Sequence, residues 1–352
     1  MGAGCLDSAL GRAPNRPPNA MPMKVTSYYH RTNPDEAGYS LANFVEIWGR
    51  CFDAAEVGSV VEVGAERGRL TEALLKWAAP SGAHVTAIDP KPHDDLVELL
   101  EEYPDLEVVA EVSLEALTHL PVPDAVVLDG DHNYYTLSEE LRLLAERSEE
   151  RIPLLVFHDV CWPLARRDQY AAPDRIPPEH RHPFGEDIKL VPGNPGHTER
   201  GLPFEWGALE EGGPRNGVMT AIEDFMAEHD GLRLAVVPIF FGCGLLWPES
   251  APWSDAVAEI VEPWDRNPIL ERVENVRVTQ LVQRHSREQE IDDGLAYTEK
   301  LEAAIRQLLD SGAFAAAEWL SRARGRGKPA FSREQLREVL AERPEQPPDD
   351  QR

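Results

Sequence analysis

Cysteine is scarce in this chain. Only Cys5, Cys51, Cys161 and Cys243 occur among 352 residues, with no Cys-x-x-Cys spacing, so neither a disulfide framework nor a structural zinc site is indicated, and a reducing compartment fits. No apolar run approaches the roughly 18 to 20 residues that span a bilayer, and the N-terminal stretch lacks the apolar centre of a signal peptide. Both absences lead to the expectation of a cytoplasmic protein. Positive charge is also short: 35 Lys and Arg against 62 Asp and Glu leave a formal charge of -27, which opposes binding to nucleic acid or to anionic membranes. The glycine fingerprints of nucleotide sites are missing too. Gly64-x-x-x-Gly68 is neither the Gly-x-Gly-x-x-Gly of a dinucleotide site nor a P-loop ending in Gly-Lys-Ser or Gly-Lys-Thr.

What is present is a hydrophobic content of 42%, enough for a substantial core, and a repeating order of elements. The stretch Val60 to Arg69 reads as a β-branched strand running into a glycine turn and then a helix. Such a strand is buried on both faces only when helices cover both, and glycine lets the backbone bend and approach a ligand where the helix begins. A helix over Leu41 to Glu56 precedes it. After it come a helix over Leu70 to Ala79, a strand over Ala83 to Ile88, a helix over Asp94 to Tyr103 and a strand over Leu106 to Val112. A short helix from Ser113, a strand over Ala125 to Leu128, a helix over Leu137 to Arg147 and a strand over Ile152 to Phe157 complete the alternation. This alternation predicts an α/β fold, a Rossmann-like doubly wound and mostly parallel sheet.

The expected organisation is a disordered leader over 1–38, a main domain over 39–250 and a helical C-terminal extension over 251–352 with a disordered end. Met21 or Met23 is a candidate start. Within the main domain, residues 161–216 are rich in Pro, Gly, Arg and His with little periodicity, and are expected to form a lid or substrate loop. A helix over Val218 to His229 and a closing strand pair, Leu232 to Phe241 and Gly244 to Trp247, follow. Further helices are expected over Phe314 to Ala323 and Ser332 to Leu340, separated by the basic stretch Arg322 to Lys328. The stripe Leu295, Leu301, Ile305 and Leu308 suits a homodimer helix or a tail helix docked on its own domain.

Acidic residues at predicted strand ends carry the chemistry. Glu62 offers a carboxylate to a cationic ligand group, and Asp89, at the next strand end, can accept hydrogen bonds from a ribose diol. An acid for an ammonium and an acid for a ribose suit S-adenosylmethionine; an ordinary βαβ unit with acidic strand ends is the plain alternative. Asp129, Asp131 and His132 follow the fourth strand and His158 and Asp159 the fifth. Along one sheet edge Asp129, His158 and Asp159 could converge on one divalent ion, Mg²⁺ or Mn²⁺ rather than Zn²⁺, while Asp131 or His132 removes a proton from a hydroxyl. Helix capping and turn formation are the competing roles for Asp131 and Asn133. Arg166, Arg167, Asp168 and Tyr170 could clamp an acceptor or form surface pairs. His180, His182 and His197 could bind metal or be solvated loop residues.

Val-Val-Glu-Val-Gly-Ala-Glu-Arg-Gly, Ala-Ile-Asp-Pro, Val-Val-Leu-Asp-Gly-Asp-His-Asn-Tyr and Leu-Val-Phe-His-Asp together resemble a class I S-adenosylmethionine-dependent methyltransferase, in the branch of metal-dependent sugar and natural-product O-methyltransferases. The resemblance covers roughly Leu41 to Trp247. It implies that Glu62, Gly64 and Gly68, with Ala65 in the same loop, line the methionine end of the cofactor. It implies Asp89 at the ribose, Ser113 near the adenine, Asp129 at the cofactor and metal, Asp159 as a metal ligand and Asp131 as general base. The implied acceptor is a hydroxylated small molecule: a sugar, a glycan precursor or a glycosylated natural product. One departure stands out: His158 replaces one carboxylate of the acidic pair such relatives carry after the fifth strand. It leaves open a Mn²⁺ or Fe²⁺ site, or a metal-free reaction with His132 or His158 as base. The rival functions are a nicotinamide-dependent oxidoreductase on a similar sheet and a non-catalytic binding or scaffold protein.

Overall fold

In a computed structural model of the chain, the described residues are 38–148, 151–324 and 333–341. Residues 1–37 of the expected leader, the stretch 325–328 and the end from Arg343 lie outside them. The described residues fall into two compact units, one of 38–131, 136–162 and 221–271, the other of 132–135, 163–220 and 272 onward.

The first unit begins with a 3-10 turn, Leu41–Phe44, whose N-cap Ser40 hydroxyl accepts from the Ala42 N–H, and runs directly into α1 (Val45–Ala54). Then come β1 (Ser59–Val63), α2 (Arg69–Ala78), β2 (His84–Ile88), α3 (Asp94–Glu102), β3 (Glu107–Val109), α4 (Ser113–His119) and β4 (Ala125–Leu128). They are followed in the chain by α5 (Tyr134–Arg147), β5 (Leu154–His158), α6 (Val218–Glu228), β8 (Leu232–Val237), β9 (Cys243–Pro248) and α7 (Ser254–Val261). The seven strands form one sheet in the order β3-β2-β1-β4-β5-β9-β8. β9 pairs antiparallel with both neighbours, and the other named pairings are parallel. This is the doubly wound, mostly parallel sheet that the alternation of elements predicts.

The alternation of side chains explains why it is wound on both faces. Val60, Val85, Ala87, Ala125, Val127, Leu154 and Val156 share one buried cluster with Trp48 and Phe52 of α1, Leu74 of α2 and Val257 of α7. The intervening Val61, Val63, Val126, Leu128, Leu155 and Phe157 are buried as well, as are Leu137 and Leu141 of α5 and Ile222 of α6. β-Branched residues at successive positions therefore fill both layers.

Two expectations are corrected. The third strand is only Glu107–Val109, because it is the sheet edge and pairs with β2 alone. Residues 161–216 are not simply a loop: in the second unit β6 (Phe184–Leu190) and β7 (Leu202–Ala208) form an antiparallel hairpin of their own. Tyr170, Phe184 and Trp206 hold it together, with ring centroids 5.5 and 5.9 Å apart in succession. The same unit carries most of α8 (Pro268–Asp310), then α9 (Gly312–Ala323) and α10 (Arg333–Ala341). On α8, Leu301 and Leu308 are exposed while Leu309 is buried. Among the described residues no helix is long and apolar enough to cross a membrane.

Candidate functional site

The strand order reverses direction at β1 and β4, and in such sheets ligands bind in the crevice at the carboxyl ends of the strands beside that reversal. The register brings the relevant ends level: Val63 lies opposite Ile88 on one side and Leu128 on the other. Gly64, Asp89 and Asp129 are thus neighbours at one edge.

Gly64 has φ 88°, and a Cβ there would stand 2.2 Å from the Asp129 carbonyl oxygen. Only glycine allows the two backbones to pass this closely. Its N–H donates to the Ile88 carbonyl at 2.9 Å, and Ala65, buried, shares that acceptor at 3.4 Å. Gly68 also has a left-handed φ, 78°, but the atoms its missing Cβ would meet are Leu99 and Leu96 of α3, at 2.8 and 3.1 Å. The left-handed backbone and the close approach of α3 both favour glycine here. Asp89 clamps the loop between them, with Oδ2 accepting from the Glu66 N–H at 2.8 Å and Oδ1 from the Lys91 N–H at 2.7 Å. Each carboxylate oxygen has a second lone pair, so the group can accept further hydrogen bonds.

Glu62 is fully buried on the α2 face of the sheet, where its Oε2 accepts from the Thr71 hydroxyl at 2.6 Å. Oε1 is buried with no hydrogen-bond partner among the described residues. Burial first, then the charges of Asp129 and Asp89, against the Thr71 hydrogen bond, push its pKa up to about 8. An orphaned buried carboxyl oxygen is costly and is the kind of atom a bound ammonium would satisfy. Ser113, the first residue of α4, donates its hydroxyl to Glu140 Oε1 of α5 at 2.5 Å. Glu140 is itself buried, which drives its pKa up to about 8, with Asp131 adding to the rise.

At the next two strand ends, His158 Nδ1 lies 3.0 Å from Asp129 Oδ1 and 3.8 Å from Asp159 Oδ2, and its Nε2 lies 3.1 Å from the Phe240 carbonyl oxygen. Burial alone would lower the His158 pKa, but the two carboxylates and both hydrogen bonds outweigh it and raise it to about 10. Asp159 has a left-handed φ of 56°. Asp131 Oδ2 accepts from the Thr136 hydroxyl at 3.1 Å. The carboxylates among these groups can accept a proton or hold an acceptor hydroxyl at this edge.

The expected metal set does not fit this donor chemistry. Among the described residues no group of three or more His, Cys, Asp and Glu side chains is arranged to hold a metal ion. At the expected place both nitrogens of His158 face oxygen atoms, Nδ1 that of the Asp129 carboxylate and Nε2 that of the Phe240 carbonyl.

Phe240 had no signal in the sequence beyond the adjacent Gly242-Cys243-Gly244. The structure shows that Phe240 and Phe241 take φ 51° and 64° in the turn joining β8 to β9. There the Phe241 carbonyl accepts from the Cys161 N–H at 2.8 Å as Phe240 does from His158.

Other sequence candidates fall in the second unit. The His132 carbonyl accepts from the Gln169 N–H at 3.0 Å. Arg167 and Tyr170 are not an exposed clamp; both are fully buried. Arg167 donates to the carbonyls of Ala208, Pro195 and Gly196. Asp168 Oδ1 accepts from the N–H groups of Tyr134 and Gly217, at 2.8 and 2.7 Å, and its Oδ2 from the Tyr170 hydroxyl. His180 stacks on Tyr135, and His182 Nε2 lies 2.7 Å from the Arg215 carbonyl oxygen. Back in the first unit, a cavity of about 460 Å³ lies at the opposite, amino-terminal ends of β4 and β5, beside Asp124, Arg147, Arg151 and Trp253. It contains none of the strand-end acids.

No family model and no curated protein matches the chain. Among solved structures it is similar to an S-adenosylhomocysteine-bound methyltransferase from Podospora anserina, at 14% identity over 63% of this chain and 85% of that one, TM-score 0.38. It is also similar to a putative caffeoyl-CoA O-methyltransferase from Staphylococcus aureus, at 11% identity over 64% and 96% of the two chains, TM-score 0.38. A third, a putative O-methyltransferase from Klebsiella pneumoniae, is 16% identical over 64% of this chain and 94% of that one, TM-score 0.37.

Proposed function

We propose that this chain is an S-adenosylmethionine-dependent methyltransferase acting on a hydroxyl of a small acceptor, by its sequence resemblance a sugar, a glycan precursor or a glycosylated natural product. The observation that carries the reading is the buried Glu62 with an unpartnered oxygen at the end of β1, level with Asp89 and Asp129 beside the point where the strand order reverses. S-adenosylmethionine, when bound, supplies a methyl group on a sulfonium, an electrophile that needs no further activation. Glu62 would hold the ammonium of its amino-acid end, the glycine at position 64 would let the backbone approach it, and Asp89 would accept from the ribose diol. Gly68, Ala65 and Ser113 remain in the assignment through the loop and helix start they build, and Asp129 through its place at the same edge.

The chain's own chemical task is to orient the acceptor and take its proton. Asp131 is the assigned base: its carboxylate would take the proton of the acceptor hydroxyl as that oxygen is methylated. His132 keeps a secondary assignment as a proton carrier. His158, with both nitrogens on acceptors, is reassigned from base to a group that holds Asp129.

Titration calorimetry of the full chain with S-adenosylhomocysteine tests this reading. Micromolar binding, weakened at least tenfold by Asp89→Ala, supports it. Asp131→Asn should leave that binding intact and lower kcat on a hydroxylated acceptor by about 10²- to 10⁴-fold, the usual contribution of a general base. Absence of binding by folded protein, or binding of NADH in its place, would overturn it.

A further inference from the structure

The partners of His158 decide what this ring can be. A backbone carbonyl only accepts, so Nε2, 3.1 Å from the Phe240 oxygen, carries a hydrogen. An ionised carboxylate only accepts, so Nδ1, 3.0 Å from Asp129 Oδ1, carries one as well. A ring with hydrogens on both nitrogens is a cation and has no lone pair to give. It is enclosed, its side chain 4% exposed, with Asp129 and Asp159 at 16% and 12%.

The surroundings are built to keep it so. Phe240 and Phe241 both sit in the left-handed region, a conformation that bulky residues rarely adopt. The turn aims one carbonyl at His158 and the next at the Cys161 N–H. Gly242, at φ 97°, allows the turn to close on the strand end, where a Cβ would lie 2.7 Å from Cys161 Sγ and 2.9 Å from its nitrogen. With Nε2 donating to this fixed acceptor, only Nδ1 faces the carboxylates, and Nδ1 is held at 3.0 Å by Asp129 Oδ1.

We infer that the His158 side chain stands in for a divalent ion: hydrogen-bonded through both ring nitrogens, it supplies the positive charge between Asp129 and Asp159, and the chain works without a metal there. Two carboxylates around one ring cation leave a net charge of about −1, against about −3 if a carboxylate stood in place of the ring. A carboxylate in place of the ring would bring three acids together and require a hard cation, as oxygen-lined Mg²⁺ and Mn²⁺ sites do. The role in methyl transfer rests on the proposed function; the chemistry of the ring does not.

The test is Mn²⁺ binding by the chelator-treated full chain, followed by calorimetry and by the electron paramagnetic resonance signal of free Mn²⁺. The wild type is expected to show no stoichiometric site removable by Asp159→Asn, and its methyl transfer to be unchanged by EDTA. His158→Asp is expected to gain one Mn²⁺ site at least tenfold tighter than any wild-type binding, lost again when Asp159→Asn is added. His158→Glu serves if the aspartate variant does not fold, and both are checked by thermal unfolding. A stoichiometric wild-type site abolished by Asp159→Asn would overturn the inference, as would a folded carboxylate variant that gains no site. S-adenosylhomocysteine binding, measured on the same samples, reports separately on the methyltransferase reading: it can fail while the Mn²⁺ results stand, and the reverse.

Discussion

Replacing Gly64 with alanine puts two costs on one methyl group. The first is conformational: a left-handed residue with a Cβ costs about 1–2 kcal/mol. The second is steric, because at φ 88° the new Cβ would stand 2.2 Å from the Asp129 carbonyl oxygen and 2.6 Å from the Gly130 Cα, both backbone atoms that cannot rotate away. Overpacking of this kind costs about 1–3 kcal/mol. Gly82 separates the two, since it is left-handed at φ 69° and a methyl group added there would meet nothing within 4 Å. Gly82→Ala carries the conformational cost only, and the gain from a stiffer unfolded chain is common to both variants. Urea unfolding followed by far-ultraviolet circular dichroism should place Gly64→Ala about 1–3 kcal/mol below Gly82→Ala at unchanged m-value. Equal stabilities would refute the close backbone crossing at the β1 and β4 ends, and with it the geometry of the candidate cofactor edge.

Glu62 and Glu140, each raised by burial from the ordinary carboxyl value of 4.5 to about 8, keep a proton in the folded chain that the unfolded chain has released. Stability from these two groups is therefore complete below about pH 4.5 and falls as pH rises towards 8, levelling off above it; denaturant midpoints across that range should flatten in the Glu62→Gln, Glu140→Gln double variant, and an unchanged slope would contradict the burial. At pH 7 a ligand ammonium meeting Glu62 should displace its proton, so S-adenosylhomocysteine binding should release up to about one proton, read from calorimetry in buffers of different ionisation enthalpy, and Glu62→Gln should abolish the release. Arg167→Ala leaves the carbonyls of Ala208, Pro195 and Gly196 without their donor; a loss of about 2–4 kcal/mol is expected, with amide exchange across 196–208 accelerated, and unchanged protection there would show that the guanidinium does not hold the hairpin.

The core strands could be read from sequence because their signal is local. Val60, Val61 and Val63, and likewise Ala125 to Leu128, are apolar at successive positions, and only a strand covered on both faces can bury them. Turn residues mark where each strand stops, so the acids of the site could be placed at strand ends from the sequence alone. The hairpin of β6 and β7 was hidden because Gly185, Pro203 and charged Glu186, Asp187 and Lys189 blur the period-two pattern; it is held by rings from separate segments, Tyr170 among them. Gly68 could be placed in the loop from sequence, but that α3, about thirty residues on, packs against it could not.

The same division runs through the site. Residue types and strand periodicity determined the doubly wound sheet and the row of acids along its carboxyl edge, because hydrophobic alternation and turn chemistry act between near neighbours. Only the tertiary structure decided what each acid and the histidine can do, because protonation and ligation depend on partners brought in from afar. Phe240, 82 positions from His158, fixes a hydrogen on Nε2 and leaves Nδ1 as the nitrogen facing the carboxylates. Glu62 is left with one oxygen sealed from water and unpartnered by the folding of α2 over β1, a desolvation no sequence pattern displays.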